Sequence, residues 1–241
     1  MMAKYKVLST KKLDPSLVEK AKANGIEITE QEAIQIKPLL DTEQLISLRF
    51  LFEGTGPRNI IFTSSNAVEI VYNKIREAGL KPTGWKIFCI EGKTFETVRS
   101  LFPDCEVVDT AAYGKILASR ILEHEVKEVY FFCGNIRRDE LPEILKKAGI
   151  RFNETVVYET ILTPVKMEGH YDAVLFFSPS AVESFFAINE LDPETICFSI
   201  GETTSGCIRN FTRNNIITSQ VSTQENMTEE VMKHFCVEIN N

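Results

Sequence analysis

Short apolar runs alternate with segments whose apolar residues recur at helical spacing along almost the whole chain. Residues 59–62 (NIIF) read as a buried strand. The segment that follows sets Ala67, Val68, Val71, Ile75 and Ala78 on one helical face, and Gly79 stands where a C-terminal cap is expected. The pattern then recurs. Strand 85–90 precedes a helix through about Leu101, strand 105–108 precedes helix 116–122, and strand 129–133 precedes helix 140–148. Strand 173–177 leads to helix 181–188, with further strands at 195–200 and 216–218. Apolar runs of this kind, separated by helices, predict parallel sheets covered on both faces.

The pattern also repeats itself. Residues 60–72 (IIFTSSNAVEIVY) align with 174–186 (VLFFSPSAVESFF) at an offset of 114, and 88–94 (FCIEGKT) with 198–204 (FSIGETT) at an offset of 110. Two such offsets in the same order predict two related domains. The second copy lacks a first strand of its own, which residues 4–9 (KYKVLS) can supply from the N-terminus. The expected architecture is therefore α/β, with two parallel-sheet domains. One is discontinuous, residues 1–36 plus 162–241, and the other, residues 37–161, is inserted in it. The chain crosses between them at 26–38, where Ile26, Ile28, Ile34 and Ile36 alternate, and again at 156–162 (VVYETIL). Two extended crossings side by side are expected to pair as a two-stranded β-ladder and to leave an inter-domain cleft, a common place for a ligand.

Composition narrows the function. The chain has 241 residues, 44% of them hydrophobic and 25% charged, as in an ordinary globular protein. A net charge of −7 argues against a nucleic-acid partner or a membrane surface, which call for a basic excess. It leaves a small anionic ligand open. No run approaches the roughly 20 apolar residues of a membrane span, and MMAKYKVLST carries no signal-peptide core. Six cysteines, Cys89, Cys105, Cys133, Cys197, Cys207 and Cys236, form no CxxC pair and mostly sit in apolar runs. They read as reduced core thiols of a cytoplasmic protein. His124, His170 and His234 have no metal-ligand spacing, so no metal is expected.

Three strand ends lead into polar segments: Thr63-Ser64-Ser65-Asn66, Ser178-Pro179-Ser180 before Ala181, and Gly201-Glu202-Thr203-Thr204. Such residues cap the following helix by accepting hydrogen bonds from its free N–H groups. The same N–H groups and helix dipoles can instead hold an anion at the carboxyl ends of the strands. Gly134, Asn135, Arg137 and Arg138 follow the fourth strand, where the glycine permits close backbone approach and arginine can pair with carboxylates. Tyr158 lies in the second crossing, either packed with its hydroxyl bonded or placed to deliver a proton. Two motifs are decoys. Gly92-Lys93-Thr94 lacks the glycine that a P-loop needs at position 87, where Ile87 stands, and Gly54-Thr55-Gly56 lies before a strand rather than after one.

Five segments together resemble the uroporphyrinogen-III synthase family: FTSSNAV (62–68), GNIRRDELP (134–142), VYET (157–160), FFSPSAV (176–182) and IGETT (200–204), in the family's order and spacing. The N-terminus departs from the family pattern, with Thr10-Lys11-Lys12 where Thr-Arg-Pro is frequent. Lys11 keeps the charge without arginine's bidentate geometry. The resemblance implies two α/β domains joined by a two-stranded ladder, and a tetrapyrrole substrate, hydroxymethylbilane, with no cofactor and no metal. Water leaves the terminal hydroxymethyl group to give an azafulvene. The macrocycle then closes through a spirocyclic intermediate with inversion of the last pyrrole ring, whereas spontaneous closure gives the uninverted isomer. Substrate binding falls to Thr63, Ser64, Asn66, Gly134, Asn135, Arg137, Ser178, Ser180, Ala181, Thr203 and Thr204. The resemblance places a tyrosine at 158, and with no histidine in any motif Tyr158 is the expected proton donor. The substrate's own carboxylic acid is the competing donor. A monomer is expected. The same caps and cleft would also serve a two-lobed, non-catalytic binder of an anionic small molecule, or a regulatory paralogue, which Lys11 alone favours.

Overall fold

The computed structural model describes residues 4–53 and 56–237, with side chains through Phe235. Gly54, Thr55 and the side chain of Cys236 therefore lie outside the described residues. Eleven strands and nine α-helices follow one another in largely alternating order among the described residues. The chain divides into two compact units, residues 1–35 with 161–241, and residues 36–160.

The first unit is built on β1 (Tyr5–Ser9), β2 (Ile26–Glu30), β9 (Ala173–Phe176), β10 (Ile196–Ser199) and β11 (Ile216–Thr218), in the order β11-β10-β9-β1-β2. All its pairings are parallel. The central strands β9 and β10 bury both faces. On β9, Ala173 and Leu175 join a core with α1 (Pro15–Ala23) and α9 (Gln224–Val237). Val174 and Phe176 join another with α7 (Pro179–Phe186) and α8 (Glu202–Ile208). Burial on both faces is why the strand reads as an unbroken apolar run.

The second unit carries β3 (Ile34–Pro38), β4 (Arg58–Phe62), β5 (Trp85–Ile90), β6 (Glu106–Ala111), β7 (Glu128–Gly134) and β8 (Arg151–Leu162), in the order β3-β8-β7-β4-β5-β6. Ile60 and Phe62 face a core with α2 (Thr42–Ser47), α3 (Ser65–Glu77) and α4 (Lys93–Leu101). Ile61 faces the opposite core, with α5 (Gly114–Glu123) and α6 (Glu140–Lys147). A 3-10 turn, Arg49–Leu51, brings the Leu51 carbonyl to the indole N–H of Trp85 at 2.9 Å, which satisfies the one polar atom of that buried ring.

Two expectations change. Residues 26–38 are not one crossing. β2 stays in the first unit's sheet, parallel to β1, and only β3 runs beside β8. The alternation of Ile26 and Ile28 is that of a sheet-edge strand. The first unit also lacks no first strand. Counted from the repeated segment, β9-β10-β11 match β4-β5-β6, and β1 and β2 occupy the places of β7 and β8. The N-terminal βαβ thus completes the end of the copy rather than its beginning.

Candidate functional site

Each sheet has one point where the chain reverses its direction of travel across the strands, and ligands of α/β proteins bind beyond the carboxyl ends of the strands at such a point. In the second unit it lies between β4 and β7. Thr63, Ser64 and Asn66 follow β4, and Asn135 to Arg137 follow β7.

β8 adds Tyr158 to this group through an irregularity. Cys133 pairs with Val156, but Gly134 pairs with Tyr158, so β8 carries one residue too many. A regular strand sends successive side chains to opposite faces. Here Val157 and Tyr158 both join the α3–α4 core, as a bulge allows. The carbonyl of Val157 accepts from the N–H groups of Leu39 at 2.9 Å and Leu40 at 3.3 Å, so the bulge leaves no orphaned acceptor. Asn135 fastens the next turn of chain. Its N–H donates to the Tyr158 carbonyl at 3.0 Å, and its side-chain oxygen accepts from the Thr160 N–H at 2.7 Å.

The Tyr158 side chain is 7% exposed, and its hydroxyl donates to Ser64 Oγ at 3.0 Å. Burial pushes the phenol above its ordinary pKa of 10, against the pull of hydrogen bonds from Ser64 and Asn66. The group therefore holds its proton at neutral pH. Ser64 sits at the N-cap of α3 in extended conformation yet makes no capping bond. Its hydroxyl is turned to Tyr158 instead. Among the described residues no partner is found for the N–H groups of Ser65, Asn66 and Ala67. A thirteen-residue helix thus points uncapped donors and its positive dipole end at this spot.

The other two helix starts differ. In α7, Ser178 Oγ accepts from the Ala181 N–H at 3.1 Å, and Pro179 has none to give. Ala181 is 1% exposed, so Ser180 is the first-turn residue left with an open donor. At α8, Gly201 is the N-cap and its carbonyl takes the N–H groups of Thr204 and Ser205. Thr204 is 2% exposed, so of the two threonines it is Thr203 that reaches the surface, beside the exposed Glu202. Beneath it Ser199, Ser205 and Thr218 link their hydroxyls in a buried chain.

The two arginines after β7 also separate. The Arg137 guanidinium is engaged by its own chain, Nε on Glu154 Oε1 at 2.7 Å, Nη2 on Glu154 Oε2 at 2.9 Å, and Nη1 on Asp139. Its fork is filled and offers nothing to a ligand in this arrangement. Arg138 is exposed and has no ion pair among the described residues. In the first unit Lys11 follows β1 and lies 5.9 Å from the ring centroid of Phe177, which follows β9. Those strands flank that unit's own reversal point. Among the described residues no group of three or more His, Cys, Asp and Glu side chains could hold a metal ion.

The solved structures that resemble this chain share its fold over almost the full length. A mutant uroporphyrinogen III synthase from the extremely thermophilic bacterium Thermus thermophilus matches with a TM-score of 0.73 at 14% identity, covering 98% of this chain and 100% of that one. The uroporphyrinogen-III synthetase of Helicobacter pylori 26695 matches with a TM-score of 0.63 at 16% identity, covering 95% and 99%. The wild-type Thermus enzyme matches with 0.59 at 14% identity, covering 98% and 99%. The family model described as uroporphyrinogen-III synthase HemD matches residues 15–229. With nearly the whole chain inside that match, the protein belongs to the uroporphyrinogen-III synthase family.

Proposed function

We propose that this chain is a uroporphyrinogen-III synthase, a hydro-lyase that closes hydroxymethylbilane with loss of water and inversion of the last pyrrole ring. The observation that carries the reading at the residue level is the protonated phenol of Tyr158, held on Ser64 beside the uncapped start of α3. The hydroxymethyl C–O bond breaks as the adjoining pyrrole nitrogen pushes its electrons in. The oxygen takes the Tyr158 proton and leaves as water. Hydrogen bonds from Ser64 and Asn66 stabilise the phenolate that remains. The azafulvene carbon is then attacked by the last pyrrole ring, giving the spirocyclic intermediate. Its rearrangement inverts that ring, and the proton released on closure restores the phenol.

The remaining work is placement of a flexible, carboxylate-rich chain. The N–H groups of Ser65 and Asn66, with Thr63, take carboxylates in the second unit, and Arg138 adds a positive charge. Ser180 and Thr203 serve in the first unit, with Lys11. Ser178, Ala181, Thr204, Asn135 and Arg137 support these contacts from behind. No helix of the described residues is long and apolar enough to cross a membrane. We place the enzyme in the cytoplasm as a monomer, with neither cofactor nor metal and without a nucleic-acid partner.

The test is to incubate the purified chain with hydroxymethylbilane in chelator-treated buffer, oxidise the products and resolve the isomers by chromatography. The inverted isomer should dominate. Formation of the uninverted isomer alone, at the rate of the protein-free control, would sink the proposal.

A further inference from the structure

The bulge in β8 and the glycine opposite it have a joint consequence. A Cβ built on Gly134 would stand 2.5 Å from Tyr158 Cε2, 2.5 Å from Cζ and 2.8 Å from the hydroxyl oxygen. The hydroxyl end of the Tyr158 ring therefore lies directly against Gly134, in the space a side chain there would need. It does so because the register slips between Cys133 and Gly134, which turns Tyr158 to the same face as Val157. In regular register Tyr158 would follow Val156 onto the α5–α6 side, away from Ser64. The ring has little room to retreat. Its carbonyl is tied to the Asn135 N–H, and the neighbouring Val157 is fully buried.

We propose that Gly134 is a positioning residue, a side-chain-free floor on which the bulged Tyr158 ring rests so that its hydroxyl meets Ser64 beside the start of α3. The glycine thus acts through the tyrosine and not by contact with substrate. The proposal rests on the reading of Tyr158 as proton donor given above, and it adds a requirement on the backbone beneath the ring.

Carbon atoms pack at about 3.5–4.0 Å, so a methyl group at 134 must lift the ring by roughly 1 Å. Misplacement of that size can cost about 10²-fold in rate. Gly134→Ala is expected to lower kcat about 10²-fold with KM nearly unchanged. Combined with Tyr158→Phe, it should add almost nothing to the loss from Tyr158→Phe alone, because both act on one hydroxyl. Multiplying losses in the double variant would mean that Gly134 meets the substrate itself, and would overturn the proposal.

A second measurement stands apart from catalysis. Gly134→Ala should lower Tm by about 5 °C, the cost of overpacking in a chain of this size. In a Tyr158→Ala background, where the crowded ring is gone, the same change should cost almost nothing. If Tyr158→Phe proves as active as wild type, the donor reading fails, while this thermal cycle still decides whether the ring rests on Gly134. An equal Tm loss in both backgrounds would overturn the inference, as would a Gly134→Ala protein with unaltered activity and Tm.

Discussion

Replacing Tyr158 with phenylalanine removes one oxygen and leaves the ring where Gly134 and the bulge hold it. The lost hydrogen bond is the 3.0 Å contact to Ser64 Oγ, between neutral groups, so the stability cost is about 1 kcal/mol. Ser64 is only half-buried and water can take over its free hydroxyl. The catalytic cost is larger. General acid assistance contributes at least about 10²-fold, which is about 2.7 kcal/mol of barrier. The variant should therefore fold, bind substrate with KM within about threefold, and turn over about a hundred times more slowly. Each pair of effects is separable by running thermal melts beside timed assays of hydroxymethylbilane consumption, with the isomers resolved at each point. Slow turnover leaves more time for spontaneous closure, so the share of uninverted product should rise. The pH profile offers a further check. Burial raises the phenol above 10, so its donor form persists through neutral pH, and any rate decline owed to its ionisation must lie above pH 10. The folded pKa exceeds the unfolded one, so the accompanying stability term is complete below pH 10 and fades as pH climbs past it. A turnover within about threefold of wild type, well short of general-acid magnitudes, refutes the acid role.

The two neighbouring arginines should part company. Arg137→Leu strands the partly buried Glu154 and should destabilise the fold by about 2 kcal/mol, read from denaturant titration. Arg138→Ala should leave stability alone and raise KM by about fivefold, the worth of an exposed charge pair, and equal behaviour of the two variants would contradict the assignment. Burial pushes the thiols of Cys89, Cys133 and Cys197 up to about 12. These three should resist alkylation at pH 8 in the folded protein and label only on unfolding, as peptide mass mapping can check; fast native labelling would contradict their burial. Ser178→Ala removes the capping bond to the Ala181 N–H and should cost about 1 kcal/mol in a thermal melt with little loss of turnover. A large fall in turnover without loss of stability would instead make Ser178 a direct substrate contact.

The alternation of strand and helix was legible because strands buried on both faces advertise themselves as apolar runs. Residues 85–90 and 216–218 are the strands β5 and β11 as read. Elements with a faint apolar signature escaped. α1 buries only Leu17 and Ala21, although Asp14 and Pro15 mark its start, and α9 shows its buried Met227, Val231 and Phe235 only at every fourth position. The short polar segments were found, but not which of them are closed. Ser178 spends its hydroxyl on its own helix, whereas Ser64 is turned to a tyrosine 94 residues away, and no local pattern carries that difference. The two arginines are alike in sequence, and only the pairing of β7 with β8 brings Glu154 to one of them. The turn of Tyr158 has the same origin, since a register slip belongs to two strands at once.

The substitution of β1 and β2 for the last two strands of the first unit bears on how the chain folds during synthesis. Residues 36–160 are continuous and can pack as soon as they emerge. The first unit cannot. β1 must wait for β9, its neighbour on the side that completes the sheet, and the bond from the Lys6 N–H to Asp172 joins residues 166 apart. At ordinary rates of synthesis the interval is on the order of ten seconds. Through that time Val7, Leu8 and Ile26, all destined for full burial, belong to an unfinished two-stranded fragment. Until β9 is made, its protection from aggregation falls to the chaperones of the cell and to the charged residues Glu19, Lys20 and Lys22 of α1, and that interval is the stretch of synthesis in which the fragment is most exposed to loss.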